Sequence, residues 1–372
     1  MSLPKDSRLL GQQFHWIALL GRKDEPTDAL EDYCGLLAAA LENKGYTLEV
    51  LRVPWAEQGW YRALKAVNKH LAQRHRSWLL VQYTSLAWSR HGIPLGFVAL
   101  IRRLKKAGFR ILVVYHDPDA FGGERLRDRF RRRIQLAIFR HTARLADKVV
   151  TTVSTHNVNW MKSSAIQAKV LFVPVGSNLT TQPTRHQSTK EEVPAIIVFG
   201  FSRVQPEAEL IALVAMRASK EIGPLHLIVF GRGATIVEGI LRPMLDGSLV
   251  SLEAYGIVES DQAGLLFARA SVQLFIRSGL SSRRGSGIAG IGHGVPIVGY
   301  YDAETAFPIT EAGVRLVPVG DVESLIRELV LLLRQPFLRE ELRQRSLEAV
   351  QRYFSWDRIA EAYLSALTDH DY

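Results

Sequence analysis

The stretch at residues 268–300 reads ARASVQLFIRSGLSSRRGSGIAGIGHGVPIVGY, and the rest of the chain is arranged around it. An apolar run at 272–276 predicts a buried β-strand. A loop rich in Ser, Arg and Gly follows at 278–287, and small residues at 288–293 predict a short helix. A second apolar run then closes the unit, so the stretch predicts a strand, a loop, a helix and another strand in an α/β domain.

The loop of this stretch is a candidate anion site. A helix N-terminus leaves backbone N–H groups unpaired, and the helix dipole adds partial positive charge there. The loop also carries two arginines, whose guanidinium groups bind phosphate bidentately, so a diphosphate is the expected anion. An ordinary strand-loop-helix unit with solvated arginines is the alternative interpretation. The candidate residues are Ser281, Ser282, Arg283, Arg284, Gly285, Ser286 and Gly287.

Length and composition indicate a globular protein of two domains. The chain has 372 residues, 47% hydrophobic and 23% charged. No stretch reaches the roughly 18 uninterrupted apolar residues of a membrane span, and the N-terminus lacks the order of regions of a signal peptide. A single cysteine, Cys34, allows no internal disulfide. We therefore expect a cytoplasmic protein, at the inner face of a membrane if its basic surface binds lipid.

The formal net charge of +10 calls for an anionic partner. Basic residues cluster at 102–110 and 125–144. Apolar residues recur every four positions in the second cluster, and they predict the buried stripe of a basic helix: Leu126, Phe130, Ile134 and Ile138. Such a helix can make peripheral contact with an anionic membrane through Arg125 to Arg144, and a merely solvated basic helix is the alternative. A nucleic-acid partner is not expected, because the basic segments lack interleaved aromatic residues.

The first half of the chain alternates between strand and helix patterns. Strands are predicted at 14–20, 48–53, 78–83, 110–115, 148–153 and 169–173, and helices at 29–41, capped by Asp28 or Thr27, and at 97–107. This alternation predicts a parallel sheet, whose ligand crevice lies at the carboxyl ends of the strands. His116 and Asp117 directly follow one strand and are the catalytic candidates, since either can orient a hydroxyl group; a histidine that is hydrogen-bonded only as part of the structure is the alternative.

A second α/β domain is predicted after a polar segment at 178–193, which contains the domain boundary. Glycines follow its strands at 195–199, 225–230 and 250–255, and glycine lets a ligand approach the backbone closely. These residues are Gly200, Gly231, Gly233 and Gly256. The predicted organisation is a first domain at 1–180, a second domain at 190–350 and a C-terminal helix at 351–372. Ser355 is expected to cap the final helix.

The order of motifs resembles that of the retaining GT-B glycosyltransferases, specifically the glycosyl-transferases group 1 family that uses nucleotide-sugar donors. The resemblance covers nearly the whole chain. It rests on six segments: RHTARLADKVVTTVS at 140–154, LFVPVGSNL at 171–179, LIVFGRGA at 227–234, AYGIVESDQAGLLFARASVQLFIRS at 254–278, HGVPIVGY at 293–300 and YFSWDRIAEAYLSAL at 353–367.

The resemblance implies two Rossmann-like, doubly wound domains facing one another across a cleft, with the C-terminal helix crossing back to the N-terminal domain. It implies a hexosyltransferase-type enzyme that acts with retention and without a metal or cofactor beyond the donor. In this reading His116 contacts the transferred sugar, with Asp117 beside it. The resemblance implies that the diphosphate of the donor binds at the loop 281–287. It implies that the base and ribose bind at Gly231, Arg232, Gly233, Gly256, Ile257 and Val258. The implied partners are a nucleotide-sugar donor, held by the donor domain at 190–350, and a glycan or lipid-linked acceptor, held by the acceptor domain at 1–180.

Two departures from the family pattern raise a second hypothesis. The family carries two glutamates eight positions apart, where this chain has Ser281 and Ala289. The loop at 200–209, GFSRVQPEAE, also lacks the family's arginine and lysine and keeps only Arg203. We hypothesise that Arg203, Arg283 and Arg284 replace that charge. The alternative is a GT-B protein that binds nucleotide or glycan without turnover.

Overall fold

The structure, a computed structural model, describes residues 14–74, 77–123, 125–177 and 193–368. The boundary segment predicted at 178–193 lies outside the described residues, apart from Val193. Two compact units make up the chain: one comprises the residues up to Val173 together with those from Ile359 onward, and the other is Pro174–Arg358. Each unit has its own parallel sheet and its own buried core.

The first unit holds a parallel sheet in the order β2-β1-β3-β4-β5-β6. The predicted strands are confirmed, with small shifts at their ends. The elements are β1 Phe14–Leu20, α1 Ala29–Glu42, β2 Tyr46–Arg52, α2 Trp55–Leu71, β3 Trp78–Tyr83, α3 Leu95–Lys106, β4 Arg110–Tyr115, α4 Leu126–Leu145, β5 Lys148–Thr151, α5 Ser164–Gln167 and β6 Val170–Phe172.

Burial explains why the central strands of this sheet read as continuous apolar runs. Every residue of β3 is buried, as are the last five of β4, because helices cover both faces of a parallel sheet. Helix α1 begins where the sequence predicts, since Asp28 Oδ1 accepts hydrogen bonds from the N–H groups of Leu30 and Glu31 at 3.1 and 3.3 Å.

The second unit has the sheet order β12-β11-β10-β7-β8-β9, again all parallel. Its elements are β7 Ala195–Phe199, α6 Val204–Ile222, β8 Leu225–Phe230, α7 Ala234–Leu245, β9 Val250–Ala254, α8 Ser260–Arg269, β10 Val272–Gly279, α9 Gly285–Gly292, β11 Ile297–Tyr301, β12 Val314–Pro318, α10 Val322–Arg334 and α11 Pro336–Ala349. Helix α9 begins at Gly285, three residues before the predicted start, so Gly285 to Gly287 belong to the helix rather than to the loop.

The final helix, α12 (Trp356–Thr368), begins in the second unit and ends in the first. The predicted cap is confirmed, because the N–H of Arg358 donates to Ser355 Oγ at 3.4 Å. Farther along, Tyr363 is fully buried, and its hydroxyl lies 2.9 Å from that of Tyr33 on α1. This hydrogen bond is buried and links two residues that are 330 positions apart in the sequence. It joins α12 to helix α1 of the first unit.

Changing Tyr33→Phe is expected to lower the free energy of unfolding by about 1–2 kcal/mol, because the Tyr363 hydroxyl is then buried without its partner. The double change Tyr33→Phe/Tyr363→Phe is expected to cost less than the sum of the single changes, since no hydroxyl is left unpaired. Urea denaturation measures both. Tyr61→Phe is the matched control, because Tyr61 is 83% exposed. Additive single effects would contradict the proposed energetic coupling.

Helix α4 corrects one prediction. Leu126 and Phe130 do not belong to a buried stripe: their exposed fractions are 82% and 66%. Only the last member of the predicted set, Ile138, is fully inside, at 5%, while Ile134 is half-buried. The buried face of α4 is made of Gln135, Ile138, Phe139, Thr142 and Ala143. In the part of the chain that the structure describes, no helix is long and apolar enough to cross a bilayer.

Candidate functional site

The sheet of the second unit has a topological switch point between β7 and β10. These two strands are neighbours, but the chain leaves β7 through α6 toward β8 on one side and leaves β10 through α9 toward β11 on the other. The two connections diverge at the carboxyl ends of the strands and open a crevice there, which is where open α/β sheets bind their ligands.

Arg277 lies at this switch point. It follows the five buried residues of β10, and its Nη1 would lie 3.4 Å from a Cβ atom placed on Gly200, at the end of β7. Among the described residues its buried Nε has no hydrogen-bond partner. Burial lowers the pKa of Arg277 below its usual value, and the nearby Glu207 carboxylate opposes that shift. A guanidinium held this way is suited to an anionic ligand.

The backbone beside Arg277 is strained. Ser278 has a φ of 52°, and within the described segments it is the only residue other than glycine with a positive φ. A serine in this left-handed conformation is uncommon, and such strain concentrates at binding and catalytic sites. The strained residue therefore supports the switch point as the functional edge of this unit.

The loop after β7 folds around a carboxylate of its own chain. Glu207, nearly buried, accepts hydrogen bonds from the N–H and Oγ of Ser202 at 3.0 and 2.8 Å and from the N–H of Arg203 at 3.0 Å. These contacts satisfy donors at the start of α6. The Arg203 side chain is exposed. Gly200 has a φ of 71°, a left-handed conformation that favours glycine.

The predicted base and ribose residues lie together at the ends of β8 and β9. The N–H of Gly231 donates to the carbonyl of Gly256 at 2.9 Å, and the N–H of Phe201 donates to the carbonyl of Arg232 at 3.0 Å. Gly231 and Gly233 both have positive φ. A Cβ atom on Gly231 would lie 2.9 Å from the Phe199 ring, so only glycine fits. Ile257 is half exposed and Val258 partly buried.

The loop before α9 contains an ion pair that the sequence did not reveal. Arg283 binds Glu304 through two hydrogen bonds, from Nε at 2.9 Å and from Nη2 at 2.7 Å. Both side chains are mostly shielded, with exposed fractions of 17% and 15%. Ser281 Oγ donates to the same carboxylate at 3.1 Å. Glu304 comes from the loop after β11, so a carboxylate lies beside Ser281 although the sequence has none at that position.

The remaining residues of this predicted loop are placed as follows. Ser282 is buried, and its carbonyl accepts a hydrogen bond from the N–H of Val175 at 2.9 Å. Gly287 is packed so closely that an added Cβ would lie 2.2 Å from Leu280 Cδ1. Arg284, Gly285 and Ser286 are partly buried at the start of α9. The helix has eight residues, and the positive end of its dipole lies at this loop.

In the first unit, His116 sits at the carboxyl end of β4 in a defined environment. Its Nε2 lies 2.8 Å from Gln82 Oε1, so Nε2 carries the proton in this amide orientation and Nδ1 carries the lone pair. The ring packs edge-on against Tyr33, with centroids 4.9 Å apart. Gln82 is fully buried, and its Nε2 has no hydrogen-bond partner among the described residues. Asp117 is exposed beside this histidine.

Burial lowers the pKa of His116 to about 4. The imidazole is therefore neutral at physiological pH, with one ring nitrogen donating to Gln82 and the other able to accept a hydrogen bond. A neutral imidazole at a strand end can orient a hydroxyl group of a ligand.

Two residues of these sites were missed by the sequence interpretation, Arg277 and Glu304. A signal was present for the first: an arginine directly after a mostly apolar run of five residues in a buried parallel strand must either be paired or line a ligand site. None was present for Glu304, because its contacts with Ser281 and Arg283 span more than twenty residues of sequence.

Two Rossmann-like units, each with a six-stranded parallel sheet, define the class: the chain has the GT-B fold. Neither a protein-family model nor a curated protein sequence matches it. Solved structures do match. Sucrose-phosphate synthase from Thermosynechococcus elongatus aligns with a TM-score of 0.67 at 15% identity, over 95% of this chain and 98% of that chain.

Two further GT-B structures are similar over their full length. WaaG, a glycosyltransferase involved in lipopolysaccharide biosynthesis, aligns with a TM-score of 0.64 at 16% identity, over 95% of this chain and 100% of that chain. HepE from Anabaena, solved with UDP and glucose, aligns with a TM-score of 0.63 at 13% identity, over 96% of this chain and 100% of that chain. At these identities the likeness establishes the fold.

Proposed function

We propose that the chain is a glycosyltransferase that moves a hexose from a nucleotide diphosphate sugar to a sugar, glycan or lipid-linked acceptor, with retention. Arg277 carries this proposal. Its guanidinium is largely buried at the switch point, beside a glycine and a strained serine, and a cation in that setting needs an anionic ligand to offset its desolvation.

The donor diphosphate is proposed to bind between Arg277 and the N-terminus of α9. Negative charge grows on the diphosphate as the sugar leaves, so a fixed guanidinium and oriented N–H groups stabilise the transition state more than the ground state. In this scheme these groups supply the positive charge, so we propose that the donor is used without a metal or another cofactor. The HepE structure with UDP and glucose, similar in fold, supports a nucleotide-sugar ligand.

The carboxylate near the sugar is proposed to be Glu304. It lies 3.1 Å from the Oγ atom of Ser281, and Ser281 is the residue that stands where the similar family has its first glutamate. Arg283, bound to Glu304 through two hydrogen bonds, holds this carboxylate in one orientation. Arg277 thereby takes the diphosphate role that the sequence suggested for Arg283.

The acceptor is proposed to bind at the carboxyl edge of the first sheet. There the lone pair at His116 Nδ1 would accept a hydrogen bond from the attacking hydroxyl, with Asp117 exposed beside it. The basic helix α4 begins at the same edge, and its proposed partner is an anionic membrane that it contacts peripherally.

A thermal-shift titration of the full chain with UDP, GDP, ADP, CMP and TDP and their sugar conjugates tests the donor site. A ligand that binds only the folded protein raises the melting midpoint with the logarithm of its concentration. We expect one nucleotide to give this shift, and sugar transfer or donor hydrolysis to follow with its conjugate. A shift without turnover would favour a binding protein, and no shift with any nucleotide would overturn the proposal.

A further inference from the structure

The first half of helix α4 presents an unusual outer surface. Leu126 and Phe130 lie four positions apart, hence on one face of the helix, and both are largely exposed. Phe121, in the preceding loop, is also exposed, at 43%, and lies beside this half of the helix because the Arg131 guanidinium is 4.4 Å from the centre of its ring. Three exposed apolar side chains therefore lie along the first half of α4, two of them on one face of the helix.

Positive charge surrounds these apolar side chains. The exposed arginines of the helix and its N-cap are Arg125, Arg127, Arg129, Arg132, Arg133, Arg140 and Arg144. The helix has one acidic residue, Asp128, which lies 3.9 Å from Arg127. Within the described residues, Arg129, Arg132 and Arg133 form no ion pair. The charge is thus available to an external anion.

We propose that this surface, the α4 patch (Phe121, Leu126, Phe130, Arg129, Arg132 and Arg133), docks on an anionic lipid surface. A helix that combines exposed Leu and Phe with arginines lies in the headgroup region, where the apolar side chains insert and the arginines bind lipid phosphates. The long arginine stems allow both at once. A nucleic acid would contact such a helix through its phosphates and its stacked bases. An exposed leucine such as Leu126 contributes to neither contact.

The place of the patch in the fold also indicates the class of acceptor. Helix α4 follows β4, so its N-terminus lies at the carboxyl edge of the sheet, and His116 is the first residue after that strand. Docking brings this edge to the bilayer. If the proposed transfer function is correct, on which this step rests, the acceptor is anchored in the same lipid surface.

Sedimentation of the full chain with phosphatidylcholine vesicles, with and without phosphatidylglycerol, tests the docking. We expect binding only when phosphatidylglycerol is present, and weaker binding as salt is raised. Leu126→Ser/Phe130→Ser is expected to lower the partition coefficient at least about tenfold. Arg129→Gln/Arg133→Gln is expected to lower it about fivefold for each arginine, hence about 25-fold for the pair.

Matched controls come from the second unit. Phe337→Ser removes an apolar side chain that is 93% exposed on α11, and Lys220→Gln/Arg352→Gln removes two exposed charges. Both should leave lipid binding unchanged. Equal losses in patch and control variants, or no binding to phosphatidylglycerol, would overturn the docking proposal. So would binding to a single-stranded oligonucleotide that depends on Arg129 and Arg133 but not on Leu126.

The nucleotide thermal shift separates this inference from the proposed function. The patch variants should keep the midpoint shift of the wild-type chain, because none of the changed residues lies in the second unit. Loss of lipid binding with the shift retained supports the patch. A shift without any lipid binding would overturn the docking and leave the donor site standing.

Discussion

Arg277→Met is expected to abolish nucleotide binding while raising the stability of the ligand-free protein. Removing a buried, hydrogen-bonded charge from a diphosphate site costs about 3 kcal/mol, which is more than 100-fold in the dissociation constant. Without ligand, the same change removes a guanidinium whose buried Nε has no partner among the described residues. The free energy of unfolding should therefore rise by roughly 1–3 kcal/mol. Calorimetric titration and urea denaturation measure the two effects.

Arg339→Met is the matched control for Arg277. Burial lowers the pKa of both arginines, but Arg339 Nη1 donates to the carbonyls of Leu332 and Leu333 at 2.6 and 2.9 Å. Its loss should destabilise the protein and leave nucleotide binding intact. Arg277→Lys should retain part of the affinity, because a lysine keeps the charge but not the bidentate geometry. Full nucleotide affinity in Arg277→Met would show that the switch point is not the donor site.

The opposite signs of these two arginine changes distinguish a binding residue from a structural one. A structural cation is stabilised by the fold around it, so its removal exposes unsatisfied partners. A cation kept for a ligand is a liability until the ligand arrives, since desolvation is offset only on binding. Arg277 and Arg339 differ in this respect although both are substantially buried.

The sequence predicted most of the architecture because parallel strands covered on both faces read as unbroken apolar runs. The runs at 78–83 and 110–115 match β3 and β4 residue for residue. Local chemistry also placed the N-termini of α1 and α12, through Asp28 and Ser355. Such features depend on neighbours within a few residues, so a single sequence contains them.

The wrong prediction for α4 has a geometric cause. A residue turns the helix by about 100°, so a spacing of four advances about 40° beyond a full turn. From Leu126 to Ile138 the drift sums to about 120°, and the two residues face different directions. The buried residues of the helix begin only at Gln135, where one face of the helix meets the core, and its first turns extend past the core. Apolar residues spaced strictly four apart therefore wind around the helix and do not form one continuous buried face.

The sites needed three-dimensional information because their key contacts are distant in sequence. Arg277 acquires its setting from Gly200 and Glu207, about seventy residues earlier in the chain. Glu304 reaches Ser281 from the next strand's loop. The sequence showed that a carboxylate was missing at 281 and that charge was missing after β7. Only the sheet order shows which side chains from neighbouring loops reach those positions.

His116→Phe is expected to reduce sugar transfer at least about 100-fold without changing nucleotide binding, because the phenyl ring keeps the packing on Tyr33 but cannot accept a hydrogen bond at Nδ1. His226→Phe, at the amino end of β8, is the control. Protonation of His116 should not lower the rate of sugar transfer by the wild-type protein between pH 8 and 6, since the pKa of His116 is about 4. Unchanged transfer in His116→Phe would remove His116 from the proposed mechanism.

The same histidine predicts how acid destabilises the protein. The pKa of His116 is about 4 in the folded chain and 6.5 in the unfolded one. Above pH 6.5 neither state binds the proton, so the group has no effect on pH dependence. Between pH 6.5 and 4 only the unfolded state binds it, and stability falls with falling pH, by about 3 kcal/mol at pH 4. In His116→Phe that part of the acid sensitivity should vanish, whereas the other histidines act in both proteins and cancel. Urea denaturation of the two proteins across this range measures the difference, and parallel pH profiles would show that His116 is protonated as readily in the folded chain as in water.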